Sequence, residues 1–402
     1  MSEWKKCAIG DMVMLRQGFA INAKSKHYIS KVPTSLALLR IADMKSGSRE
    51  IYVKEDIPRN FIAQPQDIVY TRTGNVGLVF RNNYGVVHNN CFTVTPNDER
   101  ALSRDFLFYL LQSKYFFEKA NSLARGAAQP DLPHSLFNSI EISYPDLDCQ
   151  QRIADILSNY DSLIENYQKQ IKLLEEAAQR LYKEWFVDLR FPGHENTKIV
   201  DGVPEGWEKK KLEDIFSYVR GRSYTSKELS DSGTILVNLK NIQAFGGYKR
   251  DAEKRYLVDY KQEQSLEVGD LIMGVTDMTQ ERRLVGHVAL IPDFDEPATF
   301  SMDLIKILPF ELSKSFLYCA MRFGGISKQI SPLANGVNVL HLKPEAMMGI
   351  EMVVPSKELV NHFDDYIKNN FNTILYLQNQ IRYLTEARDR LLPKLMSGEI
   401  TV

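Results

Sequence analysis

The sequence predicts an α+β protein with an internal pseudo-two-fold repeat, in which two similar mixed α/β domains are separated by two long helices packed as an antiparallel coiled coil. Three observations lead to this prediction. The two halves of the chain match each other at a nearly constant spacing. Each half carries short apolar runs typical of strands, and each half ends in a long helical segment without Gly or Pro.

Composition sets the limits for this prediction. The chain has 402 residues, 44% hydrophobic and 25% charged, which suits two or three folded domains. Its 50 basic and 51 acidic residues exclude a uniformly basic nucleic-acid coat but allow a local basic face. No apolar run approaches ~18 residues and the start lacks a signal-peptide core, so we expect a cytoplasmic protein without a membrane span. A disulfide framework is not expected, because the four cysteines lie far apart, at Cys7, Cys91, Cys149 and Cys319.

The repeat is visible as matching residues. Trp4 and Trp207 lie 203 positions apart, and at the same offset PQDIV (65–69) falls on VGDLI (268–272). Further along the offset is 210, where LARG (123–126) meets LANG (333–336). Eight further pairs at this offset are identical, and their first members are Gln168, Gln170, Ile171, Leu174, Glu176, Ala177, Arg180 and Leu181. We expect the seven-residue difference between the offsets to lie in surface loops.

The repeat predicts a division of the chain into five parts. These are a first domain (1–147), a first long helix (148–191), a linker (192–204), a second domain (205–355), and a second long helix with its tail (356–402). Within each domain, strand-like runs such as DIVYTR and HVALI precede a shorter helical stretch, at 105–121 and at 314–329.

The long helices carry apolar residues in heptad spacing. In the first, predicted from Asp148 to Val187, the two rows are Ile153, Tyr160, Tyr167, Leu174, Leu181 and Leu157, Ile164, Ile171, Ala178, Trp185. The second is predicted from Ser356 to Leu392, with Pro393 as its stop. Each would span roughly 50–60 Å. A narrow apolar seam of this length favours pairing of the two helices, although each helix lying on its own domain is the alternative. The heptad positions assign Tyr160, Tyr167 and Trp185 to packing and not to base stacking.

Signatures of catalysis are absent from the sequence. There is no GxxxxGK[ST] phosphate loop, no GxGxxG opening a helix after a strand, and no [DNS]PP[YF] tetrapeptide of the kind expected in an amino-methyltransferase. The seven histidines form neither HxH nor HExxH, and no carboxylate cluster stands out. We therefore expect a non-catalytic protein without a metal or cofactor site of its own.

Four segments resemble a known family. They are QQRIADILSNYDSLIENYQKQIKLLEEAAQRLYKEWFVDLRFPGHE, the following GVPEGWEKKKLEDIF, the ending LTEARDRLLPKLMSGEI, and TRTGNVG after PQDIVY. Together they resemble the specificity (S) subunits of type I restriction–modification enzymes. The resemblance covers essentially the whole chain, and its helical segments are the most specific part.

The resemblance implies a DNA-reading function. In that family two target-recognition domains each read one half of a split, asymmetric sequence in double-stranded DNA, and two long helices set the spacing. The helices also dock two modification (methyltransferase) subunits, and restriction (translocase/nuclease) subunits join the assembly. The specificity subunit catalyses nothing itself, and S-adenosylmethionine, ATP and Mg²⁺ are expected in the partner subunits. A rigid helix pair suits this task, because a flexible tether could not fix a separation.

Loop residues suited to base-edge contact are the candidate DNA-binding residues. In the first domain they are Arg72, Thr73, Asn75, Arg125 and Gln129, and in the second Arg220, Arg222, Thr276, Thr279, Arg282, Arg283, Asn335 and Asn338. Each could instead be an ordinary solvated loop residue. Gly126 and Gly336 are expected to serve backbone turns. The outward helix faces, around Lys169, Glu175 and Lys183, are either merely solvated or a docking surface for the methyltransferase.

Charge fits this hypothesis better in the first domain than in the second. Residues 1–145 carry a net charge of +5, whereas residues 201–355 carry −3. Two alternatives therefore stay open. One is a self-contained DNA methyltransferase or nuclease with an unrecognised site. The other is a coiled-coil scaffold that binds proteins and not DNA, which the acidic second domain mildly favours.

Overall fold

A computed structural model describes residues 4–257 and 259–402. They form two compact units. The first unit consists of the described residues up to Ser162 together with Leu384–Val402, and the second consists of Leu163–Tyr383. The boundary between the units therefore falls inside each of the two long helices. The five-part division predicted from the sequence stays a prediction.

The described residues of the first unit form three sheets. A four-stranded antiparallel sheet has the order Val13–Gln17, Cys91–Pro96, Ile68–Thr71, Val79–Phe80. A five-stranded sheet has the order Ile29–Ser30, Tyr52–Val53, Leu36–Leu39, Gly85–Val87, Ile62–Ala63, and Lys5–Ala8 pairs with Glu141–Tyr144. The short helices are Ile41–Ser46, Arg104–Gln112, Lys114–Leu123 and His134–Asn138. Tyr70, Phe92 and Phe137 pack ring against ring in the core, with centroids 5.1–5.4 Å apart.

The second unit repeats this plan. Its four-stranded antiparallel sheet has the order Phe216–Arg220, Leu304–Pro309, Leu271–Gly274, Val288–Leu290. A second sheet has the order Leu229–Ser230, Lys254–Tyr256, Thr234–Val237, Ala298–Phe300. Three further pairs are Glu208–Lys211 with Glu351–Val354, Thr276–Asp277 with Leu340–His341, and Ile199–Val200 with Val203–Pro204. The short helices are Lys314–Phe323 and Ile326–Ile330. The predicted linker contains the last of these pairs and a 3-10 turn, His194–Asn196.

Strand register confirms the duplication residue by residue. Gln17 pairs with Phe92 in the first unit, and Arg220, which lies 203 positions after Gln17, pairs with Ile305 in the second. Ile305, however, lies 213 positions after Phe92. The offset thus rises from 203 to 213 between the two inner strands, Ile68–Thr71 and Cys91–Pro96, and falls to 210 later in the chain. The expected difference of seven residues is therefore an extension of ten residues followed by a shortening of three.

The long helices agree closely with the predicted spans. The first runs from Leu147 to Tyr182 and continues as a π-helical turn, Lys183–Val187, and the second is Lys357–Met396. The prediction that Pro393 stops the second helix is wrong, because Pro393 lies inside it. Proline removes only one backbone hydrogen bond near a helix end, and the burial of Leu395 and Met396 in the core of the first unit offsets that loss.

The two long helices pack antiparallel in the second unit. The Trp185 ring lies 5.4 Å from His362 and 5.9 Å from Phe363, centroid to centroid. Earlier in the first helix, Ile171 lines the same cleft as Ile381. Residue numbers therefore rise along one helix as they fall along the other.

The same holds in the first unit. Asp161 pairs with Arg388 at 2.7 Å, and Ile153 shares a core with Leu395. The expected packing role is confirmed for Trp185, which is buried, while Tyr160 and Tyr167 are only half-buried.

Two details of the helix predictions need correction. Each predicted shorter helix is two helices, divided at Ser113 and at Gly324–Gly325. The Ser113 hydroxyl caps the next helix by accepting a hydrogen bond from the Phe116 amide, and Gly325 adopts a left-handed backbone with φ of 86°. Glu175 does not point to solvent as predicted, because its carboxylate binds the Arg322 guanidinium at 2.9 Å.

Among the described residues, no helix is long and apolar enough to cross a lipid bilayer.

Candidate nucleic-acid interface

Two loops meet at one end of the four-stranded sheet in the first unit. One follows the strand Ile68–Thr71 and the other follows the helix Lys114–Leu123. The amide of Leu132 donates to the carbonyl of Arg72 at 2.9 Å, and the amide of Gly74 donates to the carbonyl of Pro130 at 2.8 Å. We call residues 72–78 and 124–132 the first loop pair.

Asp131 is the centre of this loop pair. Arg72 donates to it from Nε (3.2 Å) and Nη2 (2.7 Å), while Nη1 of Arg72 donates to Gln17 at 3.0 Å. The Thr73 hydroxyl donates to the same carboxylate at 2.5 Å. Burial alone would raise the pKa of Asp131, but the hydrogen bonds from Arg72 and Thr73 outweigh it, and the pKa is lowered. Arg72 and Thr73 therefore fasten the two loops together in this structure.

The other candidates of the first unit are exposed. Asn75, Arg125 and Gln129 all present their side chains to solvent. Gly126 has a φ of 98°, and a Cβ atom there would lie 2.8 Å from the Gln129 carbonyl oxygen, so this turn requires glycine.

The second unit contains an equivalent loop pair. The amide of Leu342 donates to the carbonyl of Val275 at 2.8 Å, and Thr276 forms a β-bridge with His341. Thr276 and His341 lie 203 and 210 positions after Thr73 and Asp131, which form the corresponding bridge in the first unit. We call residues 275–287 and 334–341 the second loop pair.

The first loop of this second pair is longer and has its own internal anchor. Fourteen residues separate the paired strand ends Met273 and Val288, against eight between Tyr70 and Val79. Inside the longer loop, the fully buried Asp277 accepts hydrogen bonds from the amides of Thr279 (2.9 Å) and Leu284 (2.6 Å).

These bonds set the electrostatics of Asp277. Burial would raise its pKa, but the backbone N–H groups outweigh burial and lower it. Asp277 was not among the candidate residues predicted from the sequence. The signal was present as an Asp followed two residues later by Thr, a pattern typical of a turn closed by the aspartate side chain.

The candidates in the second loop pair differ in accessibility. Thr276 is buried, and its hydroxyl donates to Asp303 at 2.7 Å, so its side chain has no surface for a ligand. Arg282 is half-buried with a φ of 52°. The exposed members are Thr279, Arg283, Asn335 and Asn338. Arg283 forms an ion pair with its neighbour Glu281.

Arg220 and Arg222 lie beside the second loop pair and are engaged elsewhere. Arg220 donates to Glu345 at 2.6 Å. Glu345 also accepts a hydrogen bond from the Tyr218 hydroxyl, and these two bonds help to lower its pKa to about 2. The Arg222 guanidinium donates to the Asp259 carbonyl.

Within the described parts of the chain, no group of three or more His, Cys, Asp or Glu side chains is arranged to hold a metal ion.

Fold and site together define a protein built from two copies of one mixed α/β unit, each with a loop pair at the same end of its sheet and a share of a long antiparallel helix pair. The sequence profile described as type I restriction modification DNA specificity domain matches residues 1–176 and 204–384. The chain therefore belongs to the type I restriction–modification DNA specificity family, which confirms the resemblance. Its members recognise DNA targets and are not catalytic.

Individual relatives agree with this family. The chain is 27% identical, over 100% of its own length and 94% of the relative, to the type I restriction enzyme MjaIX specificity subunit of Methanocaldococcus jannaschii. It is 24% identical to the HindI specificity subunit of Haemophilus influenzae, with both chains fully covered. The crystal structure of the S subunit of a type I system from M. genitalium has a TM-score of 0.61 at 18% identity, covering 98% of this chain and 96% of that one, which supports the fold.

Proposed function

We propose that this chain reads a split, asymmetric sequence in double-stranded DNA, with one half-site for each loop pair. The observation that carries the proposal is the repeated bridge between two loops, Thr73 with Asp131 and Thr276 with His341. The family match extends over both halves, so a DNA specificity domain is matched in each half. Non-equivalent side chains at equivalent positions then give an asymmetric target.

The exposed loop residues are the proposed contacts to base edges and phosphates. They are Asn75, Arg125 and Gln129 in the first loop pair and Thr279, Arg283, Asn335 and Asn338 in the second. Arg72, Thr73 and Arg282 are proposed to act mainly by holding the loops, because their side chains are partly buried. Arg220 and Arg222 are proposed as flanking phosphate contacts, which they can make only by giving up part of their present hydrogen bonds.

We further propose that the long helices set the spacing between half-sites. Support comes from their continuity, since each helix contributes to both units, and from their antiparallel contacts within each unit. Inserting or deleting whole heptads in both helices should change the spacer length and leave the half-sites unchanged.

The remaining partners follow from the same proposal. Two modification (methyltransferase) subunits dock on exposed faces of the helices, and restriction (translocase/nuclease) subunits join them. S-adenosylmethionine, ATP and Mg²⁺ are bound by those partners and not by this chain. The assembly works in the cytoplasm, where the DNA is.

Methylome sequencing of cells that carry the intact system would give the target, and gel shifts with the modification subunit present would test the proposal. Arg125→Ala and Asn335→Ala should each relax preference at one half-site only, by roughly 5- to 150-fold per lost bidentate contact. Arg100→Ala is the matched control, because Arg100 is an exposed arginine at the opposite end of the sheet. Equal affinity of the assembled complex for scrambled DNA would refute the proposal and favour a protein-binding scaffold.

A further inference from the structure

Phe245 is an exposed aromatic residue on a strained turn of the second unit. Its side chain is 58% exposed, and its backbone has a φ of 64°, a left-handed conformation that non-glycine residues adopt rarely. Such a cost is tolerated when the surrounding structure holds the residue in place. A large apolar side chain held out to solvent in this way is available for contact with a ligand.

The turn itself is rigidly held. The amide of Gln243 donates to the Gly247 carbonyl at 2.9 Å, and the amide of Gly247 donates to the Val288 carbonyl at 2.8 Å. The Phe245 ring meets the His287 ring edge-to-face, with centroids 5.5 Å apart. The His287 side chain is buried, and that burial lowers its pKa. The exposed ring is therefore preorganised.

The same turn is bonded to the second loop pair. The amide of Phe245 donates to the carbonyl of Arg283 at 2.8 Å. Arg283 is one of the exposed residues proposed to contact DNA, and its backbone is joined directly to that of Phe245. The Phe245 turn therefore lies beside the second loop pair.

Among its described residues, the first unit has no counterpart of this ring. The strand Thr234–Val237 leads into the Phe245 turn, and the corresponding strand Leu36–Leu39 leads into the helix Ile41–Ser46 and Gly47. Residues 40–51 contain no aromatic residue. The unit with the unfavourable net charge of −3 is thus the one that carries an exposed ring beside its loop pair.

We propose that Phe245 is an aromatic wedge that stacks on or between bases of the half-site read by the second unit. This inference rests on the proposed function. Apolar side chains inserted at a base step unstack it and kink the duplex, and stacking on an aromatic ring needs no charged group on the protein. The wedge therefore supplies binding free energy that does not depend on attraction to phosphates. A domain with a negative net charge has little of that attraction.

The test uses the full chain assembled with its modification subunit on the split target. The fluorescent base 2-aminopurine replaces single bases in the second half-site and its flanks, excluding the base that is methylated, since a methyltransferase can extrude that base itself. The wild-type complex should raise the fluorescence at one step. Phe245→Ala should abolish the rise and weaken binding about 5- to 150-fold, while Phe245→Trp should retain both.

Phe310→Ala is the matched control. Phe310 is also 58% exposed but follows Leu304–Pro309 at the strand end far from the second loop pair, so its loss should change neither signal. If Phe245→Ala leaves fluorescence and affinity unchanged, the wedge is refuted, although specific binding by the wild type upholds the proposed function. If Phe245→Ala instead weakens only capture of the modification subunit, the ring is a protein contact and the wedge is refuted. If the wild type shows no preference for the split target, the proposed function itself fails.

Discussion

In each unit the globular part packs against the long helices, and the side chains at one equivalent contact differ in chemistry between the two units. In the first unit the Asp161 carboxylate accepts hydrogen bonds from Arg388 Nη1 at 2.7 Å and from the Tyr109 hydroxyl at 2.6 Å, and Arg81 Nη2 lies 3.5 Å away. We call these four residues the polar hub. The corresponding positions of the second unit are apolar and buried, and they are Leu290, Cys319, Phe371 and Ala178.

The difference shows that one backbone arrangement accepts either chemistry at this contact. A buried ion network seldom adds more stability than well-packed apolar residues, but it is sensitive to the loss of any one partner. The two contacts are therefore not interchangeable one residue at a time, because a single charge placed in the apolar counterpart would lie in an apolar core. The two long helices have identical residues at eight matched positions. The polar hub is a feature that distinguishes one end of the helix pair from the other.

The largest effect is expected when the first unit's charge is placed in the second. Phe371→Asp removes a buried ring that packs on Tyr318 and introduces a carboxylate into an apolar core, so it should destabilise the second unit by more than about 4 kcal/mol. Urea unfolding of the full chain, with hydrogen exchange measured on peptides from each unit, would localise the loss. Phe371→Leu is the control and should cost no more than about 1.5 kcal/mol. A second unit as protected in Phe371→Asp as in the wild type would contradict the comparison.

A smaller loss is expected when the polar hub is broken. Asp161→Ala leaves Arg388 and Tyr109 without their shared acceptor and should destabilise the first unit by about 1–3 kcal/mol. The figure is moderate because Asp161 and both arginines are 18–27% exposed, so water screens part of the loss. In a double-mutant cycle with Arg388→Ala, the two changes should cost less together than the sum of their separate effects. Strict additivity would mean that the two residues do not interact.

The sequence predicted the periodic parts of this molecule and missed what depends on tertiary contact. Heptad spacing and the absence of Gly and Pro placed both long helices within a few residues, because these signals are local. Pro393 was misread because the burial of Leu395 and Met396, which keeps the helix intact, is decided by the core of the first unit.

The candidate interface itself stays a prediction, but the repeat placed the loops of each pair at matching positions. Thr73 and Thr276 follow matching strand runs, and LARG matches LANG. Asp131 was missed because its partner Arg72 lies 59 positions away, and no local pattern shows such a pair. The repeat gave no signal for Asp277 or Phe245, because neither has a counterpart in the first half. The repeat therefore predicts the shared frame and not the features that make the two readers different.

The smallest effect is expected when the whole polar hub is replaced by its counterparts. A variant that combines Arg81→Leu, Tyr109→Cys, Asp161→Phe and Arg388→Ala supplies the first unit with the set of side chains that the second unit already packs. Because apolar replacements of a complete ion network are often neutral or stabilising, we expect the free energy of unfolding of the first unit to change by about 1 kcal/mol or less. Hydrogen exchange of first-unit peptides would measure this, with Asp161→Phe alone as the control. That single change should be much worse, since it leaves Arg81 and Arg388 without their carboxylate beside a new ring. If the combined variant is as unstable as the single change, the first unit depends on the charges themselves, and the two contacts are not alternative solutions for one backbone.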